Sequence, residues 1–194
     1  DEPAFSYAMI PFGDRFTWYP SMPYTAGLEA AFEQRFGYNP RPWLPLLYHE
    51  AGAGKLRFTS QYWDTCRYLY QENYFGAIYR FCEAHGVKAT GHLVVEEDFH
   101  NHLGQQAGNI VCHFRYMHIP GMDWIHAFEG RFLRLPSTTP KYPTSMAHLM
   151  GRPQAWAETF AASGWGMTPR DMRRLVNWEH VNGISMQIPI CYKY

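Results

Sequence analysis

The clearest helical pattern in the chain runs straight into a strand, and that junction most restricts the fold. Ser60 reads as the N-cap of the helix and Gly86 as the residue just past its end. Between them Trp63, Cys66, Arg67, Leu69, Tyr70, Tyr74, Ala77, Ile78, Phe81 and Cys82 recur near helical spacing. Residues 87–95, with Val87, Leu93, Val94 and Val95, then read as a strand. A helix–strand step with a single glycine at the joint is the connection that α/β folds use.

Similar segments lie on either side. Thr25 is expected to cap a short helix whose apolar face is Leu28, Ala31, Phe32 and Phe36 and which Gly37 closes. Pro40 and Pro42 break the chain again, and Ala51-Gly52-Ala53-Gly54 is a flexible turn with none of the spacing of a phosphate loop. Ile110-Val111-Cys112 leads into residues 113–119, a strand candidate, and residues 129–142 read as loop. Thr144 to Met150 reads as a helix ending at Gly151, and Pro153 to Phe160 as a strand. Thr168-Pro169-Arg170-Asp171 combines a capping box with an N1 proline, a specific helix start. Met172, Leu175, Val176 and Val181 supply that helix's stripe, Gly183 ends it, and Ile184 to Ile190 is the last strand.

Alternation of this kind argues for a parallel sheet. The expected architecture is a (β/α)8 TIM-type barrel, present as a fragment with about four to five strands. Residues 1–194 are taken as one partial catalytic barrel domain, truncated at both ends. A doubly wound sheet would want a glycine-rich phosphate turn, which the sequence lacks. The chain starts at Asp1-Glu2-Pro3 and stops at Cys191-Tyr192-Lys193-Tyr194. It therefore reads as part of a longer parent whose remaining domains are its expected partners. The compartment stays open between the bacterial cytoplasm and a secreted or periplasmic location.

Composition excludes some function classes. Seventeen basic and seventeen acidic residues cancel, so nothing calls for nucleic acid or an anionic surface. No apolar run approaches the roughly 18 residues of a membrane span. Cys66, Cys82, Cys112 and Cys191 have no zinc-type spacing and read as free thiols. Aromatic residues make up 18% of the chain, enough either for a ring-rich core or for a cleft in which sugar CH faces stack on rings.

Two apolar runs end in carboxylates. Glu158 follows Trp156-Ala157 and precedes a loop with Ser163, Gly164 and Trp165. Glu96, Glu97 and Asp98 end the run Leu93-Val94-Val95, four residues past His92. A carboxylate at the end of a buried strand is rigid and partly desolvated, which suits proton transfer. Alternation puts Glu96 and Glu97 on opposite sides, and the sequence does not say which faces a cleft. Two such groups across a cleft are the minimum for cleaving a glycosidic bond. His100 and His102 are a weaker metal-site candidate, with no HExxH motif. Asp1, Glu2, Asp123 and Lys141 are further polar groups near strand ends or loop starts.

Several stretches, in order, carry a resemblance. They are Asp1-Glu2-Pro3; Arg35-Phe36-Gly37-Tyr38-Asn39; Thr90-Gly91-His92-Leu93 with Glu96-Glu97; residues 117–123; residues 147–153; Ala157-Glu158-Thr159-Phe160; Gly164-Trp165-Gly166-Met167-Thr168; and Val181-Asn182-Gly183-Ile184. Together they resemble the catalytic barrel of the large bacterial α-L-rhamnosidase-like glycoside hydrolases, the family-106 type and its relatives. The resemblance implies a (β/α)8 barrel, hydrolysis of a terminal deoxy-hexoside such as an α-L-rhamnoside, inversion at the anomeric carbon, and a pair of glutamates. It places these at Glu158 and at Glu96 or Glu97, and it suggests a calcium ion near the sugar hydroxyls. His92, Asp123 and Trp165 would line the cleft, with Asp1 and Glu2 at an earlier strand end. Lys141 and Tyr192 complete the expected substrate-binding set. Relatives are expected to carry a histidine after Ile188-Pro189, where this chain has Ile190. A non-catalytic carbohydrate-binding protein on a degenerate barrel is the alternative, and a His/Asp metallohydrolase a third reading.

Overall fold

The computed structural model describes residues 22–49, 52, 54–93, 96, 108–124, 138–160 and 166–190. Asp1, Glu2, Glu97, Asp98, His100, His102, Trp165, Cys191 and Tyr192 lie outside the described residues.

Four parallel strands form an open sheet in the order β1 (Thr90–Gly91), β2 (Ile119–Asp123), β3 (Trp156–Thr159) and β4 (Met186–Pro189). The order follows the sequence without reversal. A doubly wound sheet reverses at its switch point, so among the described strands the winding is of the sequential kind. The α/β class and the parallel sheet are as the sequence leads one to expect.

Before the sheet come α1 (Leu28–Phe36), a 3₁₀ helix (Arg41–Leu47) and one long helix. The long helix consists of α2 (Lys55–Tyr70), a π segment (Gln71–Phe75) and α3 (Gly76–Ala84). Gly27, with φ 87°, occupies the N-cap of α1, and Thr25 contributes only its carbonyl oxygen to the Leu28 N–H. The long helix starts at Lys55 and not at Ser60, because Phe58 extends the buried stripe of Tyr62 and Cys66 by one more turn. Gly86, at φ 68°, ends it as the sequence implies.

Residues 113–119 depart furthest from expectation. Ile110–Tyr116 is a 3₁₀ helix, and the strand begins only at Ile119. Asn109 accepts the Val111 N–H on its side chain at 3.2 Å. At the other end Arg152 donates to the carbonyl oxygens of Phe114, Arg115 and Met117. A guanidinium that satisfies three carbonyls removes the need for a strand partner there. Two helices follow, α4 (Lys141–Leu149), which begins three residues earlier than expected, and α5 (Pro169–Val181). The capping box of α5 is present as read: Thr168 accepts from the Asp171 N–H and Asp171 accepts from the Thr168 N–H.

Side-chain alternation splits the sheet into two faces. Met122 and Ala157 point to α4 and α5, where they join Trp124, Ala147, Ala155, Leu175 and Ile184 in one buried cluster. Each large side chain in it contributes about 1.5–3 kcal/mol of burial. A second cluster of Leu28, Phe32, Phe58, Tyr62 and Cys66 joins α1 to α2. Rings meet there at short spacing, Phe32 against Tyr38 edge-on at 5.0 Å, so much of the aromatic excess is core. Among the described residues Cys66, Cys82 and Cys112 are free thiols, and burial pushes Cys66 up to about 12.

Candidate active site

The other face of the sheet carries Gly121 and Asp123 of β2 and Trp156 and Glu158 of β3. Asp123 ends β2, His92 lies just past β1, and Glu158 pairs in register with Asp123. Ligating atoms of His92, Asp123 and Glu158 all lie within 4.8 Å of one another. These groups sit at the C-terminal strand ends, the side on which α/β sheets hold ligands.

The contacts constrain the protons. His92 Nδ1 is 2.9 Å from the carbonyl oxygen of Leu93, which can only accept, so Nδ1 carries a hydrogen. His92 Nε2 is 2.8 Å from Glu158 Oε2. The two atoms are within ion-pair distance, so the imidazole can support a charge or a proton on the Glu158 carboxyl. The pair thus sets an imidazole nitrogen beside a carboxyl oxygen at the strand ends. Its surroundings keep it partly dry: His92 is 9% exposed and the Glu158 side chain 24%.

Glu96 lies on the far side of the same imidazole. Its Oε1 is 3.9 Å from His92 Nδ1 and accepts the Leu93 N–H at 2.5 Å, and its Oε2 accepts the Asp123 N–H at 3.2 Å. It is completely buried, and that burial drives its pKa well above the ordinary carboxyl value, against the pull of the two backbone N–H groups. Glu96 thus ties the chain after β1 to the end of β2 and holds both His92 and Asp123 in place.

A cleft of about 420 Å³ opens beside the pair. His92, Trp156, Glu158 and Ile188 line it from the sheet, and Tyr74, Phe75 and Ile78 from the long helix. The π segment contributes Tyr74 and Phe75, in keeping with the frequency of such bulges at functional sites. Trp156 lies over Gly121, where any Cβ would collide with the indole and stand 2.6 Å from the Gly91 carbonyl oxygen. The His92 ring meets the Trp156 ring edge-on at 5.8 Å. Trp156 stands two residues before Glu158 and so shares its face, a signal that strand alternation in the sequence carries. Tyr74 and Phe75 had no such signal, since an α-helical reading of the long helix does not contain the π turn.

The structure does not bring Lys141 to this group: its Nζ donates to the carbonyl oxygen of Asn182 at 3.1 Å. Past Glu158 the chain turns sharply, with Phe160 at φ 76°. A side chain in that region costs about 1–3 kcal/mol, and such strain gathers at functional sites.

The model of the alpha-L-rhamnosidase family, glycoside hydrolase family 106, matches residues 19–189. This chain belongs to that family. A protein of Formosa agariphila named "Putative beta-glucuronidase" is 26% identical over 166 residues, 84% of this chain and 13% of that protein. The solved structure of a rhamnosidase from Novosphingobium sp. PP1Y superposes with a TM-score of 0.71 at 22% identity, covering 87% of this chain and 16% of that one. That likeness shows the fold. The chain therefore spans a small part of the length of the relatives it matches.

The calcium that the family resemblance suggests does not fit the described residues. Calcium takes six to eight oxygen ligands, whereas the cluster offers two carboxylates and an imidazole. Imidazole suits transition metals better than calcium.

Proposed function

We propose that this chain is the catalytic part of a glycosidase that cleaves a terminal α-L-rhamnoside, with Glu158 as general acid. The observation that carries the reading is the 2.8 Å contact between His92 Nε2 and Glu158 Oε2 beside an aromatic-lined cleft. A proton carried by the Glu158 carboxyl can pass to the glycosidic oxygen as the bond to the anomeric carbon breaks. The imidazole then stabilises the carboxylate left behind and can help return a proton to it from solvent.

The second carboxylate comes from the Glu96-Glu97 pair. Burial and two backbone N–H bonds favour Glu96 as a positioning residue, which leaves Glu97 as the group that activates water. Inversion follows the family resemblance and requires carboxyl groups roughly 6.5–9.5 Å apart. Asp123, Trp165, Asp1, Glu2 and Tyr192 remain proposed substrate contacts. The four described strands are read as one arc of a (β/α)8 barrel that the longer parent completes.

The described cleft lining favours a deoxy sugar over a uronic acid. Ile78, Met117 and Ile188 offer apolar surface suited to the C6 methyl group, and the ionisable groups on the lining are His92, Glu158 and tyrosines. A uronate would call for a cation, since bidentate arginine is the usual carboxylate clamp.

The test is Glu158→Gln in the protein that carries this chain. On an unactivated alkyl rhamnoside, kcat should fall about 10²–10⁴-fold, the usual worth of a general acid. On a nitrophenyl rhamnoside, whose leaving group hardly needs a proton, the fall should be smaller. Equal losses on both substrates would remove Glu158 from the acid role.

A further inference from the structure

Behind β3, on the face turned away from the cleft, two buried polar side chains have no part in the chemistry just described. Thr159 ends β3 and Glu179 projects from α5, and both are fully excluded from solvent. The Thr159 hydroxyl lies 3.2 and 3.3 Å from the two carboxyl oxygens of Glu179. It also lies 3.2 Å from the carbonyl oxygen of Ala157. A hydroxyl has one hydrogen to give, and here it faces two acceptors. A protonated Glu179 fits this arrangement: the carboxyl donates to Thr159 Oγ1, and Thr159 donates to Ala157.

Burial pushes Glu179 up to about 7, while the Thr159 hydroxyl and the Gln187 amide, which favour the charged form, pull it part of the way back. The groups that face it are thus Thr159 from β3 and Gln187 from β4, with His180 of its own helix 3.5 Å from the Gln187 amide oxygen. The carbonyl at the end of the relay belongs to the peptide whose nitrogen is that of Glu158. Immediately beyond, Phe160 takes its left-handed turn at φ 76°. Thr159 therefore adds a side-chain hold on the Ala157–Glu158 peptide to the ladder contacts that β3 makes with β2 and β4.

We propose that Glu179 is a positioning residue for Glu158, acting through Thr159 on the Ala157–Glu158 peptide. This inference rests on Glu158 being the general acid. It describes how the helix layer reaches through the sheet: α5 touches no substrate and yet sets the direction of a side chain on the opposite face.

The test compares Thr159→Val, Glu179→Met and Glu179→Gln in the protein that carries this chain, with nitrophenyl and alkyl rhamnosides as probes. Thr159→Val and Glu179→Met should each lower kcat about tenfold with KM nearly unchanged, the signature of a lost transition-state interaction. Glu179→Gln, whose amide can still donate to Thr159, should recover most of that loss. A second readout needs no turnover: the imidazole nitrogen signals of His92, followed by NMR, should shift in Thr159→Val and return in Glu179→Gln. A lower melting temperature with kcat and the His92 signals unchanged would overturn the proposal. If Glu158→Gln leaves turnover intact, the general-acid reading fails, and the His92 signals still decide whether Glu179 positions Glu158.

Discussion

On the cleft side of β3, Glu158 keeps 24% of its side chain in solvent and meets an imidazole. On the helix side, Glu179 keeps none and meets a threonine hydroxyl. The two carboxyls stand back to back across one strand, and the difference between them follows from what each face borders. The cleft face borders space, so a charge or a mobile proton there can be solvated when it moves. The helix face borders Met122, Ala157, Leu175 and Ile184, where an ionised group would be stranded. One strand can therefore present one carboxyl to open space and border, on its other face, a second carboxyl whose neutral form burial favours.

This contrast can be broken from either side. The largest effect on turnover is expected from Glu158→Gln, with a melting temperature close to that of the parent. Its opposite is Met122→Ala on the helix face. Removing a fully buried methionine side chain costs about 2–5 kcal/mol of stability, measured by denaturant unfolding, while kcat per folded molecule holds. If Met122→Ala lowers kcat as strongly as Glu158→Gln, the two faces are not separable. Gly121→Ala comes next. Its methyl group would collide with the Trp156 indole and should cost about 1–3 kcal/mol, as overpacking does, with a raised KM because the cleft wall moves.

Glu96→Ala sharpens the picture within the cleft face. It leaves the N–H groups of Leu93 and Asp123 without their acceptor, at about 1–3 kcal/mol each, and Glu96→Gln should recover part of this by unfolding measurements. The smallest effect is a pH dependence. The folded-state value of Glu179 is raised, so the folded protein binds its proton more tightly than the unfolded chain. That stabilisation is complete below about 4.5, shrinks as pH rises, and is gone above about 7. Thermal melts across this window should decline with pH, and Glu179→Gln should flatten the decline. Glu96 is raised in the same direction and will leave a residual slope.

What could be read from the sequence was what is local. The Thr168–Asp171 capping box, the Gly86 stop and the strand under Glu158 all depend on residues a few positions apart, and all three are present. The 3₁₀ helix at Ile110–Tyr116 was not legible, because Arg152, far along the chain, satisfies its carbonyls. The approach of His92 to Glu158 spans three strands and depends on how β1, β2 and β3 are set side by side. Glu96 was the hardest to assign. In an acidic triplet it looks solvated, and only the fold shows that two backbone amides have drawn it inside. Trp156 was within reach by simple alternation, and Tyr74 and Phe75 were hidden by the π turn.

That π turn has a consequence of its own. An α-helix advances about 100° per residue, and the Gln71–Phe75 segment closes i→i+5 bonds, one residue longer than its neighbours. Everything beyond it is rotated relative to everything before it. The first half of the long helix presents Phe58, Tyr62 and Cys66 to α1, while its later residues Tyr74, Phe75 and Ile78 reach the cleft. The rod behaves like a keyed shaft whose two ends are timed to different parts. Side chains along it can be exchanged at either end independently, but a residue gained or lost in the segment would throw one end out of phase with the other.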